Sequence, residues 1–113
     1  WSAKFDEKII GVSREVFVDA LNAEGFSCYG GYIEPLYNLP MFKQKIAIGS
    51  SGFPFSESKH DYKDDYCPVA EGLYKNSFLH FQPCSYEIST DDLEKLVEAF
   101  RKVYENRSKL RAI

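Results

Sequence analysis

A chain of 113 residues with 44% hydrophobic and 27% charged residues has the make-up of one globular domain with a real core, small for a cofactor enzyme with two substrates. The formal charge of -3, with tail bases Arg101, Lys102, Arg107, Lys109 and Arg111 spread among acids, argues against nucleic-acid binding, which needs clustered Lys and Arg. No apolar run approaches bilayer length and no signal-peptide pattern opens the chain. Cys28, Cys67 and Cys84 form no Cys-x-x-Cys pair, so reduced thiols in a cytoplasmic protein are expected.

Trp1 to Ile10 alternates partly and reads as an edge strand ending in a turn at Gly11. The chain opens on Trp1 inside that strand, which suggests a piece of something longer. Ser13 is placed to cap a helix whose apolar face is Val16, Phe17, Ala20 and Leu21, and Gly25 supplies its left-handed stop. Phe26 to Tyr29 reads as a short strand broken by Gly30-Gly31.

From Tyr32 to Tyr66 periodicity dissolves: Glu34 to Phe42 mixes prolines with large apolar groups, and Ser56 to Asp65 is polar. An irregular stretch of this length is uncommon inside a compact domain and is usually functional or laid over a partner. Pro68 then opens a helix of about two turns to Tyr74, and Ser77 to Phe81 is a strand ended by Pro83. Ser89 with Asp92 three residues on makes a capping box for the last helix, whose stripe is Leu93, Leu96, Val97, Phe100, Val103 and Tyr104. The plan is a single α+β domain over residues 1–113: a small, mostly antiparallel sheet, helices packed on one face, and a long irregular loop.

Four segments resemble a known family. Arg14 to Phe26, with its closing Glu24-Gly25, is similar to the first helix of the C-terminal small domain in DegT/DnrJ/StrS aminotransferases. Glu34-Pro35-Leu36-Tyr37, followed by Pro40, resembles that family's Pro-Leu-His segment, with Tyr37 where histidine is common. Cys67-Pro68-Val69-Ala70-Glu71 resembles its Pro-x-Ala-Glu helix, and Pro83 with Ser89 to Leu93 its last strand and capped helix. The family's usual Leu-Pro-Leu strand ending stands here as Gln82-Pro83-Cys84.

The resemblance implies a fold-type I, pyridoxal-phosphate-dependent transaminase, homodimeric, moving an amino group from an amino acid to a keto-sugar or keto-cyclitol. The cofactor and its Schiff-base lysine would belong to a large N-terminal domain, this chain's partner, and the fragment alone would be inactive. The segment from Tyr32 to Phe42 would wall the substrate pocket, with Tyr37 as a hydrogen-bonding group and Tyr32 and Glu34 nearby.

Other chemistry is thinner. Lys59, in Ser56-Glu57-Ser58-Lys59, sits in a polar, irregular stretch without a glycine-rich phosphate cradle and reads as solvated. His80 alternates with Leu79 and Phe81 and reads as a structural or surface histidine; neither it nor His60 has a second metal ligand at useful spacing. The competing reading is a freestanding α+β module that uses the long loop to bind a protein or a small ligand.

Overall fold

A computed structural model describes residues 1–60, 62, 67–85 and 87–110. Three strands form one antiparallel sheet in the order β1-β3-β2: β1 Ser2–Lys4, β2 Cys28–Gly30 and β3 Phe78–Phe81. Ala3 and Gly30 flank Leu79, while Ser2 and Tyr29 flank His80. Alternation therefore gives the sheet one face carrying Ala3, Cys28, Leu79 and Phe81, and another carrying Lys4, Tyr29, Phe78 and His80.

Two longer helices cover the first face. In α2, Arg14–Ala23, Ser13 accepts from the Val16 amide, and Phe17, Val18 and the fully buried Leu21 point inward. In α5, Thr90–Glu105, the Ser89–Asp92 capping box is complete. Phe5, Val12, Phe17, Leu21, Leu79 and Val103 share one core cluster, with Phe100 packed against it. Phe17 and Phe100 lie 6.3 Å apart between centroids, and Phe81 and Phe100 5.4 Å. The α+β plan with helices on one sheet face is the architecture of the chain.

Several boundaries differ from expectation, each for a local reason. The first strand stops at Lys4 because the Asp6 carboxylate accepts from the amides of Lys8 and Ile9, turning the chain into a short helix, α1, Glu7–Ile10. In α5 burial falls on Leu96, Ala99 and Val103, whereas Leu93, Val97 and Tyr104 stay exposed, because only one flank of the helix meets α2 and the sheet. In α2, likewise, Val16 is exposed and Val18 takes the inward place.

The long irregular stretch is an arm. Its described part, 32–60 and 62, holds a 3-10 turn at Leu36–Asn38, the short helix α3 at Pro40–Lys43 and a second 3-10 turn at Phe55–Glu57. Residues 61 and 63–66 of the predicted stretch lie outside the described residues. Phe42, Phe55 and Tyr62 pack on one another with centroids 5.3 to 6.3 Å apart, and α3 packs on the turn before it rather than on the sheet. The radius of gyration is 19.1 Å, against about 13 Å for a compact chain of this length.

Two further helices complete the chain. The predicted helix after Pro68 is α4, Pro68–Gly72, and it runs on as a π-helical turn, Leu73–Ser77, straight into β3. The last is α6, Arg107–Leu110.

Candidate functional site

The arm leaves the sheet at Gly31, whose φ of 70° and closeness to the Tyr74 carbonyl (3.0 Å from a notional Cβ) leave room for no side chain. Its amide donates to the Phe78 carbonyl at 2.8 Å, which holds the exit in register. The Gly31 carbonyl in turn faces His80 Nδ1 at 3.1 Å; a carbonyl only accepts, so Nδ1 carries the proton. His80 lies opposite Leu79 and Phe81, as alternation requires. Its ring stacks on Tyr29 at 5.2 Å and meets Tyr32 edge-on at 5.7 Å. These three rings, with Phe78 5.6 Å from His80, form an aromatic ledge on the sheet face that α2 and α5 leave uncovered.

A second cluster fixes the root of the arm to α4. Tyr37 is buried, and its hydroxyl donates a short hydrogen bond to Glu71 Oε1. The Tyr37 hydroxyl oxygen in turn accepts from the Cys67 amide at 3.2 Å, which matters because Cys67 opens α4 without a side-chain cap. Glu71 is 3% exposed, and its second oxygen faces Lys75 Nζ at 3.4 Å. Burial first, then the hydrogen bond to the Glu71 carboxylate, pushes the Tyr37 phenol up from 10 to about 12, so it stays neutral at physiological pH.

The three expected site residues thus go to different places. Tyr37 spends its hydroxyl on Glu71 inside the protein, Tyr32 stands exposed on the ledge, and Glu34 is half-buried between them in sequence. Sequence reasoning named Glu71 only as part of a motif. Its partner stands 34 residues earlier, and no local pattern announces that pairing.

Arg14 opens α2, yet it is 7% exposed. Its guanidinium donates to the carbonyls of Tyr74 at 2.8 Å and Lys75 at 2.9 Å, with longer bonds to Phe78 at 3.3 Å and Leu73 at 3.5 Å. The Leu73 and Phe78 oxygens also accept from the Phe78 and Gly31 amides, so the planar fork from α2 adds to the backbone bonds there and supplies its two shortest bonds to Tyr74 and Lys75.

Among the described residues no group of three or more His, Cys, Asp or Glu could hold a metal ion, and no helix is long and apolar enough to cross a membrane. Every described lysine is exposed. A Schiff-base lysine needs a desolvated pocket that lowers its pKa, so the described residues do not fit the covalent seat of pyridoxal phosphate. Comparisons with protein-family models, curated proteins and solved structures each return no match.

Proposed function

We propose that the chain is the C-terminal small domain of a DegT/DnrJ/StrS-type aminotransferase, lending its arm as a substrate-pocket wall to a large N-terminal domain in a cytoplasmic homodimer. The amino group would pass from an amino acid to a keto-sugar or keto-cyclitol, with the carbonyl chemistry supplied by pyridoxal phosphate on that large domain. The observation that carries the reading is the bond between Tyr37 and Glu71, which joins the Pro-Leu-Tyr segment to the Pro-Val-Ala-Glu segment. Two of the four stretches that bear the resemblance therefore meet at one place, at the root of an arm that stands away from its own core.

In this reading Tyr37 anchors the wall, while Tyr32 and Glu34 face the substrate. Aromatic faces suit the C–H faces of a sugar, and a carboxylate accepts from its hydroxyls. The test is pyridoxal-phosphate titration of the full-length protein, followed by borohydride trapping and mass mapping. One saturable adduct on a lysine outside residues 1–113, with transamination of a keto-sugar, meets the proposal. An adduct on a lysine of these residues overturns it. So does no adduct at all, which is the outcome expected of a freestanding binding module.

A further inference from the structure

A cleft of about 330 Å³ lies between the start of α5, the exit of β3 and the segment leading into β2. Phe26, Phe81 and Leu96 give it apolar walls, and Glu87 and Asp92 bring two carboxylates to it. Among its described lining residues there is no lysine or arginine. Asp92 is paired with Lys95 at 3.4 Å, so an entering anion would meet chiefly the like charge of Glu87, and phosphates and carboxylates are disfavoured.

The two acids are not equivalent. Asp92 accepts from the Ser89 hydroxyl at 2.7 Å, the Ser89 amide at 3.4 Å and Lys95 Nζ at 3.4 Å, so helix capping already occupies it. Glu87 is exposed and serves no cap. An aromatic wall beside a carboxylate is the arrangement that holds an organic ammonium, through ring quadrupole and ion pair together. The volume lies at the small end of ligand sites, enough for one six-membered ring.

We propose that this cleft binds a small primary amine carried on an apolar, ring-sized body, with Glu87 pairing the ammonium. The site stands independently of the function proposed above.

The test uses one scaffold at three charges: cyclohexylamine, cyclohexanol and cyclohexanecarboxylate, each titrated into the 15N-labelled protein at neutral pH and low salt. Saturable amide shifts confined to Phe26, Ser27, Gln82 and Leu96 are expected with the amine, about five- to twentyfold tighter than with the alcohol, and none with the carboxylate. Glu87→Gln should remove most of that preference and leave cyclohexanol binding unchanged; the residue is exposed, so the variant keeps its fold. Equal affinity for amine and alcohol, a preference that survives Glu87→Gln, or shifts scattered over the surface would each overturn the proposal.

Discussion

Replacing Arg14 with Met tests whether the fold depends on one guanidinium. The substitution keeps the aliphatic stem and helix propensity but removes the bonds that the guanidinium donates to the carbonyls of Leu73, Tyr74, Lys75 and Phe78. A hydrogen bond from a charged donor contributes about 1.5–3 kcal/mol, and two of the four have short, well-formed lengths of 2.8 and 2.9 Å. Counting those two at the low end gives a loss of about 3 kcal/mol, a large share of the ~5–15 kcal/mol typical of a domain. With a urea slope of about 1–3 kcal/mol/M, the midpoint should fall by about 1–3 M, read by far-ultraviolet circular dichroism. Gly30 supplies an internal control. A Cβ there would stand 2.7 Å from Arg14 Nε and 3.2 Å from Cδ and Cζ, so Gly30→Ala must displace the clamped side chain. Gly30→Ala should therefore cost stability in the wild type and nearly nothing beside Arg14→Met, a coupling of about 1–2 kcal/mol. Additive effects, or an Arg14→Met loss below about 1 kcal/mol, would refute the clamp.

Leu21→Ala, at a side chain with no exposed surface, should cost about 3 kcal/mol in the same urea assay, because α2 cannot collapse into the cavity. Ser89→Ala should cost about 1 kcal/mol at neutral pH through loss of the cap. The penalty should shrink in acid: the hydrogen bonds from Ser89 hold the Asp92 carboxyl below its usual 3.8, so the stability it adds is present above that value and lost as pH falls through the lowered one. Tyr37 works in the opposite sense. Its phenol is raised from 10 to about 12, so its stabilisation is whole below pH 10 and drains away between pH 10 and 12, a loss that Tyr37→Phe should abolish. Trypsin should cut first after Lys43 or Lys45 in the arm; a first cut after Lys95 or Arg101 in α5 would contradict the arm's independence from the core.

Features that depend on near neighbours in the chain were legible. Ser13 and Ser89 announce themselves as caps because the amides they serve lie three residues on, and Gly25 as a stop because its left-handed φ of 94° is a local property. The alternation of Leu79, His80 and Phe81 placed the histidine on the correct sheet face. Contacts between distant segments were not legible. The clamp joins Arg14 to carbonyls about 60 residues away, and backbone oxygens leave no trace in residue identity. The exposed flank of α5 was hidden for a related reason: periodicity shows how wide an apolar stripe is, not how much of it a small sheet and one helix can cover.

The arm turns these observations into a question of free energy. Ile33, Leu36, Met41, Ile46, Ile48 and Phe53 are each at least half exposed, all within some twenty residues of one another. Burying a large apolar side chain fully contributes about 1.5–3 kcal/mol, so covering what these six still expose would release roughly 5 kcal/mol or more. That is comparable to the whole stability of a small domain, yet the chain leaves it unused while holding the arm's root rigidly through Gly31, Tyr37 and Glu71. A loop meant only to connect α4 to β2 would need neither the fixed root nor the apolar tip. Fixing one end reduces the ordering cost that docking must overcome, and the apolar surface beyond it supplies the drive. Tyr37→Phe separates these two contributions: it loosens the root and leaves Ile48 and Phe53 unchanged. It should therefore speed tryptic cleavage after Lys43 or Lys45, with α5 still protected. Unchanged cleavage there would mean that the Tyr37–Glu71 bond stabilises α4 alone and does not position the arm.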